Sequence, residues 1–260
     1  MVAKELRLHL ATGVVAGLGG LVYLLKVRLH PGSGMAGVPP FFGLMTSAIA
    51  GITAVGSERR WGTQLMDVAA VPIAWAWRVK AGVALGLAVL LGVLLPVFEL
   101  ALSPGLVQAI GGEGRSFAAW ALMGPVVAAL GMWVSGKSRD MSRAFVMTLL
   151  ATAAMLSLIG AGIAAGSFAV AKLVWVEWAR HLLYPINASP PRLRIGAELI
   201  PAIETLLLLA PLVLGIWTLL IESRRGWLPG ARRLAWRPAV VVLLTSVAAG
   251  AGQVLTQILG

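Results

Sequence analysis

The chain contains no cysteine among its 260 residues, which excludes disulfides, thiolate metal sites and a cysteine nucleophile. Charged residues are also scarce, at 12% of the chain, whereas soluble domains carry about 25%. The sequence has two aspartates, Asp67 and Asp140, and three histidines, His9, His30 and His181, and no H-E-x-x-H spacing occurs. These residues form no recognisable constellation for enzymatic catalysis.

What the sequence has in abundance is apolar residues, which make up 59% of it, and the mean hydropathy is +0.90. A helix needs about 20 apolar residues to cross about 30 Å of hydrocarbon. We therefore predict an all-α fold: a polytopic membrane helix bundle of six to seven transmembrane helices, forming a single domain over residues 1–260. The stretches that qualify as spans are Leu8–Val27, Val38–Val55, Ala81–Leu102, Phe117–Ser135, Phe145–Val170, Pro201–Ile221 and Ala239–Leu259.

The net charge of +11 is explained by loop charges, because Lys and Arg accumulate in the cytoplasmic loops of membrane proteins. With a cytoplasmic N-terminus, fourteen of the 21 basic residues fall inside and seven outside. This bias predicts that the N-terminus and segments 56–80, 136–143 and 222–237 are cytoplasmic. We expect anionic membrane lipid, and no nucleic acid, to bind the arginine-rich stretch Arg224–Arg237.

Glycine pairs four residues apart suggest close contacts between membrane helices, although 31 glycines in 260 residues also produce such pairs by chance. They are Gly13/Gly17, Gly82/Gly86 and Gly162/Gly166.

The segment 56–80, GSERRWGTQLMDVAAVPIAWAWRVK, places charge between two apolar stretches. Ser57 is a suitable N-cap, and Glu58 lies where the dipole of a starting helix favours an anion. The pattern predicts an amphipathic helix on the cytoplasmic surface. Its apolar face holds Trp61, Leu65 and Val68, and its polar face holds Arg60, Thr63, Gln64 and Asp67.

The last part of segment 56–80 leads into the next predicted span. Pro72 ends the amphipathic helix and is suited to begin the next one. Trp75 and Trp77 are predicted to lie at the membrane interface, with Arg78 and Lys80 extending their charges to water. An interfacial connector without further function explains the whole pattern equally well.

The stretch ERRWGTQL at 58–65 has Pro72 seven residues beyond it and Lys80 at the start of the next span. In this arrangement it resembles the permease subunits of type-2 ATP-binding-cassette (ABC) transporters. The neighbouring spans, PPFFGLMTSAIAGITAVG and AGVALGLAVLLGVLLP, are also similar to that family. The resemblance covers about 45 residues, and elsewhere it extends to span count and loop size.

This resemblance implies that segment 56–80 is the coupling helix, which docks on a separate ATPase subunit. ATP and magnesium would be bound by that partner, so this chain would be a permease without cofactor and not an enzyme. Docking residues carried over from the family motif are Glu58, Arg59, Gly62 and Thr63, and the polar face adds Arg60, Gln64 and Asp67.

The implied protein is an exporter of the bacterial cytoplasmic (inner) membrane that pairs with a second permease copy or a paralogue. The family usually has six spans, so Ala239–Leu259 is an added span or one of the seven stretches does not cross. The alternative is a membrane-embedded enzyme, or an assembly or scaffold protein, without an ATPase partner.

Segment 171–200 is similar to the outer interfacial helices that the family has before its last span. Trp175 and Trp178 share a helical face there, and Glu99 and Glu204 lie near the outer ends of spans. Intramembrane acids are functional candidates, so these four residues are candidates for the substrate path or outer gate. An aromatic anchor and solvated interfacial acids explain them equally well.

Overall fold

The structure is a computed structural model that describes residues 38–61, 72–102, 114–138, 140–175, 199–225 and 236–259. Nearer the N-terminus it describes residues 10, 14, 17–19, 21, 22 and 25. All regular secondary structure in this part of the chain is α-helical, which confirms the predicted class. The helices are α1 Val38–Trp61, α2 Ile73–Leu102, α3 Gly114–Ser135, α4 Met141–Trp175, α5 Leu199–Arg225 and α6 Arg237–Leu259.

Within the described ranges, three helical stretches are long and apolar enough to cross a membrane. They are Met141–Lys172, Ala202–Arg225 and Arg237–Thr256, and two shorter apolar helices are Gly43–Val55 and Leu122–Ser135. These apolar helices support the general prediction of transmembrane helices and are compatible with a membrane protein. The count of six to seven spans stays a prediction, and most of the first predicted span, Leu8–Val27, lies outside the described residues.

Two helix starts follow from local sequence. The Pro72 carbonyl accepts the N–H groups of Trp75 at 2.9 Å and Ala76 at 3.1 Å, so Pro72 leads into α2 as predicted. Proline suits this place because a helix start leaves the first N–H groups unpaired and proline has none to leave. Asp140, a preferred N-cap type, occupies the same place before α4, where its carbonyl accepts the Ala144 N–H at 3.0 Å.

Helix α1 differs from prediction at its C-terminal end. The predicted span ends at Val55 and a new helix begins at Ser57, whereas α1 continues without a break to Trp61. Ser57 therefore lies inside a helix and is not an N-cap. A single Gly56 costs a helix only about 1 kcal/mol relative to alanine, which the good helix formers Glu58, Arg59 and Arg60 offset.

The described chain divides into two compact units. Unit 1 is Met1–Thr152 with Ile216–Ala235, and unit 2 is Ala153–Gly215 with Trp236–Gly260. The prediction of a single domain is not tested by this division and stays a prediction.

In unit 1, α1, α2 and α3 pack against one another at backbone contact distance. A Cβ atom at Gly51 of α1 would overlap the Ala128 carbonyl oxygen of α3. A Cβ at Gly124 of α3 would lie 2.7 Å from the Ala88 carbonyl oxygen of α2. Small residues are what allow membrane helices to approach this closely.

In unit 2, the predicted pair Gly162/Gly166 forms a close contact with α6, which confirms that prediction. A Cβ at Gly162 would lie 2.5 Å from the Ser246 Cβ, and one at Gly166 would overlap the Val247 carbonyl oxygen. From α4, Ser167 Oγ also donates to the Gly250 carbonyl oxygen of α6 at 3.2 Å.

The other glycine pairs have a different outcome. A Cβ atom added at Gly82 or Gly86 would meet no other atom within 4 Å, so the predicted close contact is wrong for the described part of the chain. The same holds for Gly17, and its partner Gly13 lies outside the described residues. The physical reason is that these glycines are on exposed helix faces, where no neighbouring helix of the described residues uses the space.

Candidate functional site

One apolar cluster in unit 1, which we name the anchor cluster, joins four helices. Its members are Ala54 and Val55 of α1, Trp77, Ala81 and Ala84 of α2, and Met132 of α3, with Leu220 of α5 packed against them. These residues lie toward the C-terminal ends of α1, α3 and α5 and toward the N-terminal end of α2. Four helix ends therefore meet at one end of unit 1, which we name the anchor end.

The anchor cluster holds both flanks of the predicted coupling segment. Val55 lies just before the segment, and Trp77 lies within its last turns. Between them, residues 62–71 lie outside the described residues. A partner pulling on the segment would thus act on α1 and α2 together, and through Met132 and Leu220 on α3 and α5.

Among the described residues of unit 1, two charged side chains are completely buried, Lys80 of α2 and Glu222 of α5, each with 0% of its surface exposed. Lys80 is adjacent in sequence to Ala81 of the anchor cluster, and Glu222 lies two residues beyond Leu220. Glu222 accepts a hydrogen bond from Arg225 Nη1 at 2.8 Å. Buried charge is expensive unless it is compensated, so this arrangement marks a functional or structural site.

The burial of Lys80 corrects the sequence interpretation, in which Lys80 extends to water beside Arg78. Arg78 is exposed as expected, whereas Lys80 is not. The reason is that α2 begins at Ile73, so Lys80 lies two turns inside the helix. There it lies on the packed face between Trp77, three residues before it, and Ala84, four residues after it, because residues three and four apart on a helix are neighbours.

The two tryptophans of segment 56–80 differ in how much of their surface is exposed. Trp75 is 47% exposed, in agreement with an interfacial position, whereas Trp77 is 8% exposed and belongs to the anchor cluster. Two residues correspond to about 200° on a helix of 3.6 residues per turn, so both rings could not face the lipid. The prediction for Trp77 is wrong for this reason.

The anchor end also contains buried polar atoms without a hydrogen-bond partner in the described structure: Trp77 Nε1, Trp133 Nε1, Ser223 Oγ and Arg224 Nε. Other buried hydroxyls are satisfied within their own helices. Ser47 Oγ donates to the Gly43 carbonyl at 2.7 Å, and Ser246 Oγ donates to the Val242 carbonyl at 2.7 Å. Ser223 Oγ, in contrast, has no hydrogen-bond partner in the described structure.

The side chains of all seven residues predicted to dock on an ATPase lie outside the described residues. Glu58, Arg59 and Arg60 are in the last turns of α1, and their side chains lie outside the described residues. Four further docking residues lie entirely outside the described residues: Gly62, Thr63, Gln64 and Asp67. Their role stays a prediction.

The residues predicted for the outer side are only partly described. Glu99 is near the C-terminal end of α2 and Trp175 is the last residue of α4, but their side chains, like the whole of Trp178, lie outside the described residues. Glu204 is in the first turns of α5 and is partly exposed. The structure therefore brings none of these four side chains into a described contact with another of the set.

One sequence pattern bears on the expectation that ATP is bound by another chain. Residues Gly131–Ser138, GMWVSGKS, have the G-x-x-x-x-G-K-S spacing of a phosphate-binding loop. The expectation that a partner chain binds ATP does not consider this spacing. In the structure Gly131 to Ser135 are helical, and the Lys137 N–H bonds the Val134 carbonyl at 2.8 Å. Lys137 Nζ lies 3.8 Å above the Trp133 ring.

A phosphate-binding loop requires a glycine-rich turn whose free N–H groups surround the phosphate. Here the backbone N–H groups of Gly136, Lys137 and Ser138 all bond carbonyls of α3. The stretch is therefore a helix end, and it matches the nucleotide-binding spacing without the required geometry.

Segments 56–80, 136–143 and 222–237 all adjoin the anchor end. We therefore predict that these loops lie on the same side of the membrane. We expect cysteines placed at Gln64 and Arg139 to behave alike and to resist an impermeant maleimide in intact cells. After permeabilisation both should react. The chain has no native cysteine to interfere, and a cysteine at Ser189, predicted outside, is the positive control. Labelling at position 64 or 139 in intact cells would contradict the topology.

In the described part of the chain, no group of three or more His, Asp and Glu side chains is placed to hold a metal ion. Comparisons of the whole chain with protein-family models, curated proteins and solved structures find no match.

Proposed function

We propose that this chain is the membrane-spanning permease subunit of an ATP-driven ABC exporter. The observation that carries the proposal is the anchor cluster, which holds both flanks of segment 56–80 and joins them to α3 and α5. The resemblance of ERRWGTQL and its flanking spans to type-2 permeases supports the same function, as do the membrane-length apolar helices.

The mechanical argument rests on close packing. Protein interiors are packed like organic crystals, so a packed cluster transmits displacement instead of absorbing it. A partner that moves segment 56–80 therefore displaces Val55 and Trp77 together, and Met132 and Leu220 follow because they contact the same cluster. A connector attached at only one end would bend without moving the other helices.

The proposal includes the remaining elements of the transporter. A separate ATPase subunit binds ATP and magnesium and docks through Glu58, Arg59, Arg60, Gly62, Thr63, Gln64 and Asp67. A second copy of the permease or a paralogue completes the membrane part, in the bacterial inner membrane with a cytoplasmic N-terminus. Glu99, Trp175, Trp178 and Glu204 are the candidates for the substrate path or outer gate.

The test uses the whole chain in its native membrane. A photo-crosslinking amino acid at position 64 should capture a protein that is itself labelled by 8-azido-ATP. We expect Gly62→Trp to block docking by added bulk and Glu58→Lys to weaken it by inverting charge. Loss of a well-packed docking contact costs about 2 kcal/mol or more, which corresponds to about thirtyfold in affinity. ATP hydrolysis in the purified complex should fall accordingly.

The matched control is Gly82→Trp, which adds the same bulk at an exposed position where an added Cβ meets no atom within 4 Å. It should keep both crosslinking and ATP hydrolysis. If Gly62→Trp and Glu58→Lys keep normal complex yield and turnover, the segment is a membrane anchor. The enzyme or scaffold alternative would then replace the transporter.

A further inference from the structure

A second apolar cluster in unit 1, which we name the turn cluster, joins α1 and α3 to the first turns of α4. Its buried members are Ile52 of α1, Val134 of α3 and Ala144 of α4, and the partly buried residues packed against them are Trp133, Phe145 and Ala151. The turn cluster therefore shares α1 and α3 with the anchor cluster and adds α4, which has no member in the anchor cluster.

Neighbouring residues of α1 and α3 contribute to the two clusters. On α1, Ile52 belongs to the turn cluster and Val55 to the anchor cluster. Residues three apart are neighbours on a helix. On α3, Met132 of the anchor cluster is followed directly by Trp133 and Val134 of the turn cluster. Because α1 continues into segment 56–80, a movement of its last turns acts on both clusters.

Local bonds hold the described residues between α3 and α4 to members of the turn cluster. The Lys137 N–H donates to the Val134 carbonyl at 2.8 Å. Lys137 Nζ lies 3.8 Å from the centre of the Trp133 ring, which is a cation–π contact. At the start of α4, the Asp140 carbonyl accepts the Ala144 N–H at 3.0 Å. The ends of α3 and α4 are thus fixed at the cluster from both sides of the turn.

We propose that the turn cluster is a second coupling contact, through which a movement of segment 56–80 reaches α4. This inference rests on the proposed transport function and adds α4 to the helices that the anchor cluster joins. A close-packed cluster transmits strain because it contains little free volume to absorb a displacement. Ile52 on the α1 side and Phe145 on the α4 side are the positioning residues of this contact.

The experiment follows two single cysteines, each carrying an environment-sensitive fluorophore, in the complex with the ATPase partner. Leu150→Cys reports on α4 and Val89→Cys reports on α2, at positions that are 61% and 45% exposed. Trapping the ATPase with ATP and vanadate should change the fluorescence at both positions. In the Ile52→Ala chain the change at position 150 should be lost, whereas the change at position 89 should remain, because α2 is held by the anchor cluster.

A second variant and a control separate this effect from a general loss of stability. Ile52→Ala leaves a cavity, which lowers stability, so Phe145→Ala removes a partly buried side chain from the α4 side instead. It should give the same selective loss at position 150. The matched control is Leu220→Ala, which truncates a partly buried residue packed on the anchor cluster and should keep the change at position 150. Crosslinking from position 64 should be normal in all three variants.

The outcomes distinguish a failure of this inference from a failure of the proposed function. If position 64 captures no ATPase, or if neither fluorophore responds in the native chain, both are overturned. A response at position 89 without one at position 150 overturns the role of the turn cluster and leaves the transport function standing. The same holds if the response at position 150 persists in both Ile52→Ala and Phe145→Ala, because α4 then moves by another route.

Discussion

Replacing Glu222 by leucine is expected to destabilise the folded chain by about 3–5 kcal/mol, the usual penalty for removing one partner from a buried ionic arrangement. Glu222 is fully buried, as is Lys80 in the same unit, and Arg225 donates to it at 2.8 Å. Without the carboxylate, Arg225 loses the acceptor of its hydrogen bond, and the buried position of Glu222 loses its negative charge. Thermal unfolding of the purified chain in detergent measures the effect, together with the yield of monodisperse protein.

The controls for this prediction come from the same chain. Glu204→Leu changes a partly exposed acid in the same helix and should have a much smaller effect. The double variant Lys80→Met/Glu222→Leu tests whether the two fully buried charges compensate each other. Recovery of stability relative to Glu222→Leu would show that they do, because replacing a whole buried ionic set by apolar residues is often neutral. Arg225, whose side chain is 36% exposed, can turn to water. Native stability of the single variant Glu222→Leu would show that the buried charge needs no counterpart.

Gly51→Ala is expected to separate α1 from α3 and to destabilise unit 1 by about 1–3 kcal/mol, as overpacking of a close-packed interior does. A Cβ at this position would overlap the Ala128 carbonyl oxygen, which is backbone and cannot rotate away. Because α1 leads into segment 56–80, complex formation with a partner should fall together with stability. Thermal unfolding and crosslinking from position 64 measure the two effects.

Gly82→Ala is the matched control, since a methyl group there meets no atom within 4 Å. It replaces helical glycine by alanine, which favours the helix by about 1 kcal/mol, so its unfolding temperature should equal or exceed that of the native chain. Equal stability of Gly51→Ala and Gly82→Ala would contradict close packing of α1 on α3.

Much of the secondary structure was predictable from local pattern. The apolar stretches Phe145–Val170, Pro201–Ile221 and Ala239–Leu259 all lie within observed helices, because twenty apolar residues without a strong break leave few other structures. Pro72 at the start of α2 was also predictable, since proline fits a helix start without the loss of a backbone hydrogen bond. The continuation of α1 through Gly56 was not, because one glycine is a weak signal.

The candidate site was less predictable. The sequence places Lys80 in a motif and Trp77 in an interfacial belt, and it contains no sign that both are buried. Glu222 was not a candidate at all, because an acid followed by two arginines is typical of a helix end in a loop. A signal was available in the helix bounds: once α2 is known to begin at Ile73, Lys80 falls on the face of Trp77 and Ala84.

Composition and apolar periodicity thus determined that this chain is helical and suited to a membrane, because those properties depend on the residues within each segment. The tertiary structure decided which of several similar sequence patterns forms a helix contact, a binding loop or a buried position. Gly82/Gly86 and Gly162/Gly166 have the same spacing, and only the second pair meets a neighbouring helix of the described residues. Gly131–Ser138 has the spacing of a phosphate-binding loop, and its backbone is held in a helix end. Lys80 and Arg78 are both basic residues at a helix start, and one is buried while the other is exposed. For the glycine pairs the outcome depends on the facing helix, which comes from a distant part of the chain.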